Sequence, residues 1–126
     1  MRRLLSSICG AVALLGMMAT SANAQTPPPG RAVFQANCAA CHQAVANGHT
    51  LIGPNLWGVV GRPAGSVAGF AYSPAMRNSH ITWTAARLNA YITAPAATVP
   101  GNRMPFAGLH NPAQVTQLVA YLQTLH

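Results

Sequence analysis

Cys38-Ala39-Ala40-Cys41-His42 is the stretch on which the reading of this chain turns. Two thiols three positions apart, followed at once by an imidazole, can clasp a haem: the thiols add across its two vinyl groups and His42 binds the iron. A bare C-x-x-C also suits a dithiol redox centre or half of a zinc site. A zinc site needs two further ligands at partner spacing, and the other cysteine, Cys9, lies far upstream. A dithiol redox centre wants its C-x-x-C between a strand and a helix, and no strand-like run precedes Cys38. Covalent haem is the reading that uses all three side chains.

Upstream, Met1-Arg2-Arg3 leads into an apolar run from Leu4 to Ala19 and then Ala22-Asn23-Ala24. A basic start, an apolar middle and small residues at a cleavage site predict a secretory signal over residues 1–24, with residues 25–126 as the mature, periplasmic domain. The competing reading is an uncleaved membrane anchor, but the run is short for a span and is broken by Ser6, Ser7, Gly10 and Gly16. Cys9 would leave with the signal. No later run could cross a membrane. Export suits the motif, because an oxidising compartment would pair Cys38 with Cys41 unless another reaction captured them. The remaining chain is one domain near the lower limit for an unaided core, which a large apolar cofactor would enlarge.

The full sequence holds seven arginines, no lysine and no Asp or Glu, for a formal net charge of +7. Average composition would supply about one acidic residue in eight, so their absence is not an accident of sampling. With the signal removed, Arg31, Arg62, Arg77, Arg87 and Arg103 remain, scattered without a stripe that could track a phosphate backbone. Nucleic acid is therefore not an expected partner. A domain without carboxylates also lacks the groups whose protonation drives most acid unfolding.

Thr26-Pro27-Pro28-Pro29 predicts an extended lead-in, and a first helix is expected from Gly30 to about Ala40, with Val33, Phe34, Asn37 and Cys41 along one side. From Gln43 to Pro63 the pattern dissolves into Gly, Pro and Asn, a long loop that needs something to wrap. Ser73-Pro74 predicts a short helix to Asn78, and Thr84 caps another that carries Leu88, Tyr91 and Ile92 inward and stops before Pro95. Residues 95–112 read as irregular. Asn111-Pro112-Ala113-Gln114 then opens a last helix with Val115, Leu118, Val119, Leu122 and Leu125 on one face. The expected fold is all-α, three to four helices and long loops around one haem, with no strand and no internal repeat.

If His42 is one axial ligand, the second decides the chemistry: an open position invites oxygen or peroxide, a filled one restricts the iron to electron transfer. Met76, Met104, His49, His80, His110 and His126 are candidates. Met104 is favoured by its proline-bounded loop, Pro100-Gly101-Asn102-Arg103-Met104-Pro105, while a methionine elsewhere is ordinarily core filler.

From Gly30 to Leu125 the chain resembles the class I cytochromes c, in particular the mitochondrial-like bacterial periplasmic group. The resemblance rests on Gly30 and Phe34, the C-x-x-C-H motif, Gly53-Pro54-Asn55-Leu56, Gly61-Arg62, Tyr72-Ser73, Ile81-Thr82-Trp83, Tyr91, Pro100 to Met104, and Leu118 with Tyr121, in order and at the family's spacing. It implies one haem c attached through Cys38 and Cys41, iron held by His42 and Met104, and the Pro54 carbonyl accepting a hydrogen bond from the other His42 nitrogen. Arg62, Tyr72 and Trp83 are implied as partners of the haem propionates, Asn102 stands near one propionate, Tyr91 beside the methionine sulfur, and Phe106 at the haem edge. Taken without the resemblance, Trp83 and Tyr91 would read as core residues with one satisfied polar atom.

The implied function is one-electron shuttling by a monomer, without catalysis on a substrate, between redox proteins such as a quinol-oxidising cytochrome complex and a terminal oxidase. The alternative is a haem peroxidase or small-gas sensor with a displaceable methionine. Two departures from the family pattern stand out. Met76 replaces a polar pocket residue, and Asn37, Ala96, His110 and Asn111 stand near positions where relatives carry lysines, leaving Arg103 as the one charge.

Overall fold

Proline opens four of the five helices, and that placement follows from its chemistry: at the first helical position its missing N–H is one the helix would leave unpaired anyway. The computed structural model describes residues 28–126; the expected signal over residues 1–24 lies outside them. Helix α1 is Pro29–Asn37, α2 Pro74–Arg77, α3 Ala85–Thr93, α4 Pro95–Thr98 and α5 Pro112–Leu122. Among the described residues there is no sheet, and one isolated bridge joins Pro63 to Thr82.

Side-chain caps start three of these helices. Ser73 accepts from the Met76 N–H at 3.0 Å, Thr84 from Arg87 at 3.2 Å, and Asn111 from Ala113 at 3.0 Å and Gln114 at 3.3 Å. Each satisfies a backbone donor that the first turn leaves orphaned.

Helix α1 stops at Asn37, short of the expected Ala40. The Cys38 carbonyl turns back to accept from both Cys41 and His42, each at 3.0 Å, so the two cysteines sit on a turn and not on a helical face. The expected irregular stretch after Pro95 is also corrected: α3 ends at Thr93, Ala94 caps both helices, and Pro95 is the first residue of α4. Proline breaks the helix before it and favours the one after it, and the sequence reading used only the first half of that rule.

Helices α1 and α5 cross closely, and α3 packs on both α4 and α5. Gly30 makes the first crossing possible: a Cβ there would strike the Gln117 carbonyl oxygen and lie 2.6 Å from Tyr121 Cβ. Phe34 and Tyr121 meet beside it with ring centroids 5.6 Å apart. Val115, Leu118, Val119, Leu122 and Leu125 are all buried, with Leu118 only 1% exposed. Between His42 and Ser73 no helix forms. That loop is instead sewn to the helical frame by backbone bonds, including Gly53 N–H to Cys41 carbonyl at 2.8 Å, Gly58 to Leu125 at 2.7 Å, and a reciprocal pair between residues 61–62 and Trp83 at 2.8 and 3.0 Å.

Candidate functional site

The frame encloses a cavity of about 430 Å³, within the range of cofactor sites. All ten residues expected at the site line it: Cys38, Cys41, His42, Pro54, Arg62, Tyr72, Trp83, Tyr91, Asn102 and Met104. They come from the turn after α1, the long loop, the segment between α2 and α3, α3 itself and the loop before α5, which explains why no single stretch of sequence contains the site.

Cys38 and Cys41 are unpaired thiols at the cavity wall. Before a haem is attached, burial, followed by the neighbouring Cys41, pushes the Cys38 thiol up to about 11, so it stays protonated at neutral pH. His42 Nδ1 lies 2.7 Å from the Pro54 carbonyl oxygen. A carbonyl only accepts, so Nδ1 carries the proton and Nε2 keeps its lone pair. Burial lowers the His42 pKa, the Pro54 hydrogen bond opposes this, and the nearby Arg62 charge adds to the lowering. The net effect favours the neutral imidazole that a metal requires. Gly53 gives the ring its seat: a Cβ would stand 2.7 Å from Nδ1 and 2.8 Å from Nε2.

Met104 enters the cavity from a loop organised by Asn102. The Asn102 side chain accepts from the Met104 N–H at 3.0 Å and donates to the Val99 carbonyl at 3.0 Å. The Tyr91 hydroxyl lies 3.8 Å from Met104 Sδ and 3.5 Å from Asn102 Oδ1. Burial pushes the Tyr91 phenol up to about 12, which keeps it a donor. Trp83 packs against Tyr91 with ring centroids 4.9 Å apart. Met76 also lines the cavity but is buried in the core behind the Ser73 cap. His49, His80, His110 and His126 are exposed and lie off the cavity wall.

Arg62 has a structural part that its residue type did not announce. Its two terminal nitrogens donate to the Asn55 and Trp57 carbonyls at 3.1 Å each, clamping the loop that carries Pro54. Tyr72 likewise accepts at its hydroxyl from the Val67 N–H at 3.2 Å, which leaves the phenolic hydrogen available to an acceptor in the cavity. Phe70, Leu88 and Leu118 complete the wall without having been expected there. Leu88 and Leu118 were legible as buried helix positions, yet periodicity says that a face is covered and not by what.

A mostly apolar wall, two free thiols, one neutral imidazole and one thioether fit a covalently held haem. The family model for cytochrome c matches residues 28–126. The chain belongs to the cytochrome c family. It is a class I c-type cytochrome, and its cofactor is haem c bound covalently through Cys38 and Cys41. Cytochrome c2 of Rhodoblastus acidophilus is 47% identical over 96 residues, covering 76% of this chain and 89% of that protein. Cytochrome c2 iso-2 of Magnetospirillum fulvum is 47% identical over 88 residues, covering 70% and 91%. The solved structure of cytochrome cH from Methylobacterium extorquens superposes with a TM-score of 0.69 at 40% identity, over 76% of this chain and 95% of that one. The all-α architecture of this cytochrome is thus that of its relatives. No helix among the described residues is long and apolar enough to cross a membrane.

Proposed function

We propose that this cytochrome is a one-electron carrier whose iron is held by His42 and Met104, and that it works in the periplasm between a quinol-oxidising cytochrome complex and a terminal oxidase. Haem c supplies the ferric–ferrous couple. The observation that carries the reading is the convergence, on one cavity, of a His42 ring with Nε2 free and of Met104 with a Tyr91 hydroxyl 3.8 Å from its sulfur.

A thioether is a soft ligand that favours ferrous over ferric iron, so the Met104 side chain raises the potential relative to a second imidazole. Pro54 holds the His42 ring and its tautomer. Arg62, Tyr72 and Trp83 are assigned to the propionates, whose burial without donors would be costly, and Asn102 to the loop that delivers Met104. Were His42 and Met104 both to hold the iron, no position would be left for a substrate, and the protein would act as a carrier and not an enzyme.

The test is spectroscopic. The ferric holoprotein is expected to be low-spin, with the weak far-red charge-transfer band of a thioether on iron, and slow to bind carbon monoxide when reduced. Met104→Ala is expected to abolish the band, admit carbon monoxide rapidly and lower the potential. A high-spin ferric spectrum in the native protein would instead support a haem peroxidase or gas sensor.

A further inference from the structure

The mouth of the haem cavity differs from its interior in one respect: it is almost without charge. Six residues both line the cavity and are exposed, namely Asn37, Ile52, Pro63, Ala71, Arg103 and Pro105. Arg103 is the sole charge in that ring. Ile52 is 71% exposed and its neighbour Leu51 42% exposed, and Val45, the other large exposed hydrophobic among the described residues, belongs to the same loop.

Nothing in the fold requires this exposure. Gly53 holds the His42 seat and Pro54 its hydrogen bond, whereas Leu51 lies off the cavity wall and faces water, and Ile52 is mostly exposed at the cavity's lip. A polar pair would serve the loop equally well and would be better solvated. The two residues stand at the rim through which electrons would leave a buried cofactor, and one cation there gives little long-range steering.

We infer that Leu51 and Ile52 anchor the docking of a redox protein that presents an uncharged, apolar patch around its own electron entry point, so that recognition depends on desolvation and not on ion pairs. This rests on the electron-carrier reading above. Charge complementarity selects the occupant: a ring with one arginine offers an acidic partner a single ion pair, while Ile52, Ala71, Pro63 and Pro105 match an apolar face. A lipid surface is disfavoured, because the patch is a short loop with no amphipathic helix to lie in an interface.

Voltammetry of the native holoprotein on gold coated with defined monolayers tests this. On a methyl-terminated monolayer, strong adsorption with a one-electron wave is expected, unchanged between about 10 and 500 mM salt. On a carboxylate-terminated monolayer, weaker adsorption that salt abolishes is expected. Ile52→Asn is expected to weaken methyl-surface binding about ten-fold. Leu51→Asn, which leaves the cavity wall untouched, should weaken it several-fold with an unchanged spectrum and solution potential. Preference for the carboxylate surface, or methyl-surface binding indifferent to both substitutions, would overturn the inference. So would co-sedimentation with zwitterionic phosphatidylcholine vesicles that Ile52→Asn removes, since the patch would then be a membrane contact. A reversible solution wave with no methyl-surface binding would sink the docking inference alone, whereas the lack of any reversible wave would sink the carrier reading beneath it.

Discussion

Gly53 and Tyr91 act on the two proposed iron ligands from outside, one by yielding space and the other by offering a proton. A Cβ at Gly53 would overlap the His42 ring, which cannot retreat without leaving the Pro54 carbonyl at 2.7 Å. Gly53→Ala is therefore expected to cost about 1–3 kcal/mol, as overpacking does, and to reduce the low-spin fraction of the ferric protein; denaturant midpoints and absorption spectra check both. Tyr91→Phe keeps the packing on Trp83 and deletes only the hydroxyl 3.8 Å from Met104 Sδ. A sulfur relieved of its donor is the better electron donor to iron and stabilises the ferric state. The potential should fall by roughly 20–45 mV, the one-electron equivalent of a hydrogen bond worth about 0.5–1 kcal/mol. A rise on titration of the variant would contradict this assignment of the hydroxyl.

At the scale of elements, the decisive contact is the crossing of α1 and α5. Alanine normally improves a helix over glycine by about 1 kcal/mol, so Gly30→Ala would stabilise an isolated α1. In the fold, the new Cβ meets Gln117 backbone and Tyr121 Cβ, neither of which is the far end of a flexible side chain. The clash should win, with a net loss of about 1–3 kcal/mol read as a lowered thermal midpoint; equal or higher stability would show that the helices can separate freely. What made these elements legible in sequence was local chemistry. Asn111 and Pro112, Thr84, and Ser73 with Pro74 signal helix starts because the cap and its first turn are neighbours in the chain. The missed α4 and the early end of α1 were decided by contacts of another order. Pro95 has two possible meanings, and the Cys38 carbonyl chooses between continuing the helix and closing the turn under Cys41 and His42. Which residues gather on the cavity was legible through motif spacing, but the Arg62 clamp on Asn55 and Trp57 and the Asn102 bond to Met104 were not, since residue type does not reveal which backbone group a side chain will reach.

For the whole molecule, the absence of Asp and Glu changes how stability responds to acid. A carboxylate paired in the native state has its pKa depressed there, and its contribution is lost as pH falls through that value. This chain has no side-chain carboxylate to lose. His42 is the described histidine whose burial sets the opposite demand: its folded pKa is lowered from 6.5, so its neutral form contributes stability above that value. In the chain without iron, the unfolded imidazole takes up a proton below about 6.5 that the folded one resists, a slope of at most one proton per molecule. His49, His80, His110 and His126 are exposed. The holoprotein's thermal midpoint is therefore expected to show no steep step near pH 4, where side-chain carboxylates titrate. A differential scanning series from about pH 2 to 8 checks it, with the haem propionates and chain terminus as the remaining acids. A steep proton uptake near pH 4 would place the acid response in the propionates and in Arg62, Tyr72 and Trp83, proposed as their partners, making the cofactor's carboxylates, and not the chain, the acid-sensitive part of the fold.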